Sequence, residues 1–197
     1  MRALTDEEVA LGPLLPELIH TSVLDEVGNA TIRLVDGSVP LPIRRAIARV
    51  AYVAQRSMPA YMAGYDGTVT EDDQRLYVLS RETRAIGIVL TALQNRSWRV
   101  EWSKEGALYR LTDAPCQTRL PVIARIWVAS TNRRTGLGRK IVECAIAHLG
   151  LSASAVGWEL PFTSYGAIFV KALFPSTFLI SCDIVTLKKN TKLKPLS

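Results

Sequence analysis

The chain is 197 residues long, 48% apolar and 21% charged, with a mean hydropathy of +0.15. That is enough apolar surface for a packed core and too little charge for a disordered chain, and the length predicts one domain with short additions, or at most two very small domains. Residues Met1 to Glu8 place acid where an export signal carries a basic start and an apolar run, so no export is expected. The most apolar stretch, residues 166–185, is interrupted by Lys171, Pro175 and Asp183, which excludes a membrane helix of ~20 predominantly apolar residues.

Cys116, Cys144 and Cys182 are odd in number and scattered. They fit neither a disulfide framework nor a CxxC zinc spacing, and reduced intracellular thiols are expected. His20 and His148 are the only histidines, so no metal site is expected. The formal charge of +6 and the pI near 9.4 are unevenly distributed. Asp6, Glu7, Glu8, Glu17, Asp25 and Glu26 acidify the start, while Lys188, Lys189, Lys192 and Lys194 form a basic tail that weakly resembles a nuclear-import run. The basic excess favours acidic partners or a chromatin-rich setting. A solvated basic face without a partner is the plain alternative, and direct nucleic-acid contact is left open.

In chain order, residues 1–26 look like an appendage, broken by Gly12-Pro13 and Pro16 and more acidic than the rest of the chain. The alternation of Ala30 to Val35 predicts a strand, closed by Asp36-Gly37. From Pro42 to about Ser57 the residues Ile43, Ala46, Ile47, Val50, Ala51, Val53 and Ala54 recur at helical spacing opposite Arg44, Arg45 and Arg49, which predicts an amphipathic helix. Arg75 to Ser80, Ala85 to Leu93 and Ser97 to Trp102 read as three strands of an antiparallel meander. Residues 103–118, with their charges and Pro115, read as a loop.

The second half is more regular. Leu120 to Ala129 is a strand, residues 130–138 a polar turn, and Arg139 to Leu149 a helix burying Ile141, Val142, Ala145, Ile146 and Leu149. Ala153 to Leu160 is a strand, Tyr165 to Phe174 a helix and Thr177 to Leu187 a last strand. This β-α-β-α-β run behind a meander predicts an α/β (α+β) fold with a mixed central sheet flanked by helices. The main domain is expected over residues 27–187, with 188–197 as the tail.

The junction Arg133-Arg134-Thr135-Gly136-Leu137-Gly138-Arg139 carries the chemistry. Two glycines admit positive φ and close backbone approach, and the helix behind them aims free N–H groups and a positive dipole end at the same point. Anions bind in such places, and Arg133, Arg134 and Arg139 add full charges, so a diphosphate is a natural guest. A Walker loop needs GxxxxGK and a Rossmann fingerprint needs a third glycine where Ile141 stands; neither is present. An Arg-rich surface turn whose glycines serve only geometry is the alternative at this point.

The order R-x-x-G-x-G after a strand resembles the pyrophosphate loop of the GNAT acetyltransferases, which hold acetyl-CoA there. Arg125-Ile126-Trp127-Val128, then Arg133-Arg134, then Ile141-Val142-Glu143-Cys144 resembles a narrower family, the eukaryotic acetyltransferases that act on cohesin to establish sister-chromatid cohesion. Their pattern runs R-I-W-V, then R-R or R-x-x-G/K-I-A, then M-I-E-C. Gly28 to Val35 and Arg75 to Glu101 are similar to that family's flanking strands, so the resemblance covers about residues 28–183.

It implies a GNAT fold and acetyl-CoA as co-substrate, bound by Ile126, Trp127, Val128, Arg133, Arg134, Thr135, Gly136, Leu137, Gly138 and Arg139, with Phe162, Thr163 and Ser164 bordering the cofactor's arm. It also implies Glu143 as the base that deprotonates a substrate lysine, whose amine has an unperturbed pKa of ~10.4. Cys144, turned about 100° round the helix from Glu143, reads as packing. A cohesin subunit as acceptor, association with chromatin and a nuclear location follow from the same resemblance.

Two departures qualify it. The family's N-terminal Cys2His2 finger is missing, which marks a divergent member. The family's S-D-P-T, matched on Pro161, puts Leu160 in place of its Asp. Glu159 is adjacent but faces the other way along a strand unless a bulge turns it, and it is kept as a second catalytic candidate on that condition. The alternatives are a GNAT enzyme with another amine or protein acceptor, and a non-catalytic module that binds CoA or chromatin.

Overall fold

The computed structural model describes residues 5–15, 21–47, 74–102, 108–110, 119–160 and 162–181. The far part of the helix expected to Ser57, the glycine-containing stretch near residue 65, most of the expected loop 103–118, Cys116, Pro161, Cys182 and the basic tail lie outside the described residues. The strands are β1 (Ser22–Val27), β2 (Ala30–Val35), β3 (Gln74–Arg81), β4 (Arg84–Gln94), β5 (Trp98–Trp102), β6 (Leu108–Arg110), β7 (Leu120–Val128), β8 (Gly157–Glu159) and β9 (Thr177–Ser181). The helices are α1 (Asp6–Leu11), α2 (residues 41–47), α3 (Leu137–His148) and α4 (Ser164–Leu173). The chain divides into two compact units, one of residues 1–91 and 125–148, the other of 92–124 and 149–197; β7 contributes its C-terminal part to the first and its N-terminal part to the second.

In the first unit the strand order is β1-β2-β3-β4-β7. β1 pairs antiparallel with β2, and β2 with β3. Ile32, Leu34, Leu76, Val78, Ile86 and Ile88 are buried. α3 covers β1 and β3 with Leu137, Ile141, Val142, Ala145 and Ile146, all buried. Burying an aliphatic side chain of this size contributes about 1.5–3 kcal/mol, so the apolar stripe, rather than helix propensity, holds α3 in place.

Parts of the segment set apart by composition are elements of this unit. α1 opens on a capping box in which Glu8 N donates to Thr5 Oγ1 (3.1 Å) and Thr5 N to Glu8 Oε2 (3.0 Å). Its far end is stitched to the β3–β4 turn: Ala85 N donates to the Pro13 carbonyl (2.9 Å), Leu15 N to that of Thr83 (2.8 Å), and Arg84 reaches both the Gly12 carbonyl (2.9 Å) and Glu7 Oε1 (2.6 Å). β1 begins at Ser22, ahead of the first strand expected from sequence, and includes acidic Asp25 and Glu26 because it is an edge strand with little burial.

In the second unit the order is β7-β8-β9-β5-β6. β8 runs parallel to both β7 and β9, whereas β5 runs antiparallel to β9 and β6. The sheet is therefore mixed, as the strand and helix order predicts. β5 is not the third strand of a meander; it pairs Trp98 with Ile180 and Val100 with Phe178, which places its buried residues beside those of β9. β6 lies within the stretch read as a loop and pairs with β5. β8 is shorter than expected, because Ala153–Ala155 forms a 3-10 turn. Phe169 of α4 and Phe174, its C-cap, pack edge-on against Trp158, at 6.3 and 5.7 Å between ring centres.

Gly12 has φ +94, and a Cβ there would run into the Ala85 carbonyl oxygen. Gly12→Ala is expected to lower unfolding stability by about 3 kcal/mol or more, combining backbone strain with a backbone clash. Urea unfolding of the variant beside wild type measures it, and hydrogen exchange should show the loss beginning at residues 6–15.

Candidate functional site

The site expected from sequence begins where β7 ends. Trp127 is buried, 2% exposed, while its neighbours Ile126 and Val128 are half-buried and point to the opposite face. Ala129 N donates to the Ile86 carbonyl (2.9 Å), which anchors the end of the strand to β4. Ser130–Asn132 then make one 3-10 turn. Arg134 takes φ +62 and Gly136 φ +86, and α3 starts at Leu137. A Cβ on Gly136 would meet nothing within 4 Å, so the bend is open on that side.

The first helical hydrogen bond is Lys140 N to the Gly136 carbonyl (3.1 Å). The N–H groups of Leu137, Gly138 and Arg139 therefore precede any intrahelical acceptor, which is the arrangement that holds anionic oxygens. Arg134, Thr135, Gly136 and Arg139 are exposed around it, and Leu137 is buried beneath. The expected diphosphate ligands are thus brought together on one bend. Two of the three arginines also have protein partners: Arg133 Nε donates to the Val128 carbonyl (2.9 Å) and Arg139 Nε to Glu143 Oε1 (2.7 Å).

Glu143 lies one turn further along α3, off the buried stripe and exposed, with Lys140 Nζ 3.9 Å from its second oxygen. Cys144 is half-buried, and burial followed by the Asp25 carboxylate pushes its thiol above the usual value. Only the thiolate is a nucleophile, so Cys144 stays a packed thiol. At the end of α3, the buried Tyr77 hydroxyl lies 3.1 Å from His148 Nδ1. Burial, then the Arg75 guanidinium, lowers the His148 pKa against an opposing pull from Asp36; burial raises that of Tyr77 against the influence of Arg75.

The remaining expected residues belong to the second unit. Glu159 pairs with Ser181 in an unbroken register, Gly157 to Leu179, Trp158 to Ile180 and Glu159 to Ser181, so no bulge reorients it over that stretch. Trp158 and Leu160 are buried. Phe162 sits in an aromatic cluster, 6.4 Å from Trp102 and 6.5 Å from Phe178. Thr163 is the N-cap of α4, its Oγ1 accepting from Gly166 N (3.0 Å), and Ser164 is exposed in the first turn.

Sequence reasoning missed Asn132. It reads there as one polar residue of a turn, yet it is 9% exposed and hydrogen-bonded on every side. Burial of an asparagine leaves no periodic signal; its place two residues ahead of the left-handed Arg134 was the only hint. Among the described residues no cluster of His, Cys, Asp or Glu is arranged to hold a metal, and no helix is long and apolar enough to cross a membrane.

No family model matches the sequence, and no curated protein matches it. Among solved structures the chain is similar to the xEco2 acetyltransferase domain bound to a CoA conjugate, with a TM-score of 0.67 and 18% identity over 83% of this chain and 98% of that one. A second structure of the xEco2 acetyltransferase domain gives a TM-score of 0.65 and 19% identity, over 83% and 97%. At this identity the likeness shows the fold, which is the α/β fold of the GNAT acetyltransferases.

Two measurements check this geometry. Gly136→Ala leaves the surroundings untouched but forces alanine to φ +86, so a stability loss of about 1–2 kcal/mol is expected in urea unfolding. The lowered pKa of His148 means that the unfolded chain binds its proton more readily. The stability this contributes is complete above the ordinary value of 6.5 and is lost as pH falls below it through the folded value. His148→Gln should therefore flatten the acid side of the stability–pH curve, and an unchanged slope would count against the burial and the nearby Arg75 guanidinium that lower its pKa.

Proposed function

We propose that this chain is an N-acetyltransferase that takes acetyl from acetyl-CoA and passes it directly to a lysine amine, with a cohesin subunit as acceptor and a nuclear, chromatin-associated setting. The observation that carries the reading is the open two-glycine bend at the head of α3, in a chain whose fold is that of an acetyltransferase domain solved with a CoA conjugate. The residues fit the group. The amides of Leu137, Gly138 and Arg139 and the charges of Arg133, Arg134 and Arg139 would hold its diphosphate, and the backbone of Ile126 to Val128 would accompany the arm.

Bound acetyl-CoA supplies an acetyl group activated as a thioester. The chain must take a proton from the lysine ammonium so that the free amine can attack the thioester and expel CoA as its thiolate, and Glu143 is assigned that deprotonation. Its partners Arg139 and Lys140 do not lock it away, because an exposed i,i+4 pair is worth only ~0.3–0.5 kcal/mol. Phe162, Thr163 and Ser164 are assigned to border the cofactor's arm, whereas Glu159, the second catalytic candidate, keeps an unbroken strand register and lacks the bulge that role requires.

A second reading is a module of the same fold that binds CoA or chromatin without catalysis. It is favoured by Leu160, buried where the resembling family has an Asp, and by the unbroken strand register at Glu159. A GNAT enzyme with another amine acceptor shares the bend and differs only in the amine.

Acetyl-CoA at a hundred times its Kd should stabilise the native chain by ~2.7 kcal/mol, read as a rise in melting temperature. Glu143→Gln should keep that protection and lose about 10²- to 10⁴-fold in the acetylation rate of lysine peptides from cohesin. Protection in wild type without any acetyl transfer would establish the non-catalytic reading, and transfer to small amines alone would establish the other acceptor class.

A further inference from the structure

The bend ahead of α3 is bonded to one buried residue, and that residue is tied to the N-terminal segment. Asn132 is bonded through both backbone and side chain. Its N donates to the Ala129 carbonyl (2.9 Å), its Oδ1 accepts from Arg81 Nη1 (3.2 Å), its Nδ2 donates to Thr131 Oγ1 (3.1 Å), and its carbonyl accepts from Thr135 Oγ1 (2.7 Å). Thr131 Oγ1 in turn donates to the Ala10 carbonyl in the last turn of α1 (2.7 Å). Arg81 closes β3, and α1 is itself anchored on the β3–β4 turn through Arg84.

We propose that Asn132, joined to α1 through Thr131 and to β3 through Arg81, is the positioning residue that sets the Arg134–Gly136 bend for its phosphate ligand, so that residues 5–15 contribute to cofactor affinity. The inference rests on the phosphate-binding reading of that bend. The physical reason is strain. Arg134 at φ +62 occupies a region that disfavours a residue with a Cβ by about 1–2 kcal/mol, and such a conformation persists only where surrounding bonds over-determine it. The Thr135 bond onto the Asn132 carbonyl spans Arg134, and a carbonyl can restrain the bend only if its own residue is fixed. Asn132 is fixed because leaving any of its buried polar groups unpaired is costly. A bend already shaped for its ligand loses less freedom on binding, which appears as affinity.

The test uses the full chain. Thr131→Val removes the hydroxyl with little change of volume, Thr131→Ser restores it, and Asn132→Ala removes the hub. Acetyl-CoA Kd is measured by calorimetry, and hydrogen exchange at the amides of residues 134–138 is measured on the unliganded proteins. The expected result is a Kd weakened about five- to tenfold in Thr131→Val, more in Asn132→Ala and near wild type in Thr131→Ser, with faster exchange in the first two at residues 134–138 and unchanged exchange in β3. Wild-type Kd and exchange in both Thr131→Val and Asn132→Ala overturn the proposal. Should wild type itself fail to bind acetyl-CoA, the phosphate reading falls, and with it the claim on affinity; the exchange rates still decide whether Asn132 orders the bend. If Asn132→Ala does not fold, the Thr131 pair alone decides, since an exposed threonine is not needed for folding.

Discussion

A strand has to become a helix within a few residues, and the chain must do so while leaving the first-turn amides of the helix uncovered. That requirement governs the first unit. A tight reversal needs left-handed backbone, here at Arg134 and Gly136, and only the second of these is a residue for which that conformation is cheap. The cost at Arg134 is met locally by polar bonds rather than by packing, because apolar side chains crowding the bend would block the very groups it exposes. The buried asparagine and its neighbours are the consequence.

α3 then serves two ends with two faces. Its stripe of Leu137, Ile141, Val142, Ala145 and Ile146 supplies the hydrophobic attachment, while the row of Arg139, Lys140 and Glu143 remains in water. The burial of five apolar side chains outweighs the exposed ion pair by an order of magnitude. The helix axis is therefore fixed by the core, and the charged row stays exposed. The N-terminal segment enters the same frame through backbone bonds at Pro13, Leu15 and Gly12, which makes an acidic, glycine- and proline-broken stretch part of a sheet-based unit.

The second unit is built differently. Its centre is aromatic: Trp102 stacks on Phe178 at 5.3 Å and donates through Nε1 to the Phe174 carbonyl (3.0 Å), and Lys171 lies 5.9 Å above the Trp102 ring. Phe162 belongs to this cluster, so whatever it offers a ligand is constrained by packing against Trp102 and Phe178. Thr163 is likewise committed to capping α4. On α4 itself Tyr165 and Ile168 are both about two-thirds exposed.

Local pattern alone determined β2 and α3, whose alternating and helical burial writes itself into the residues, and β3, β4 and β7, which are legible as apolar runs buried almost throughout. The glycine-bearing bend with its arginines was legible for a related reason, since backbone demands at a strand-to-helix junction restrict residue type. What only the tertiary structure decided are matters of partnership. The register of β5 against β9, the strand β6 within a charged stretch, the docking of residues 5–15 and the edge strand β1 depend on which distant backbone groups are available to bond, and a strand carries no mark of its neighbour. Asn132 belongs with these: its residue type is ordinary for a turn. Its importance comes from Arg81, 51 residues away in the chain, and from the bond that its neighbour Thr131 makes to Ala10, 121 residues away, groups that meet only once the sheet has formed.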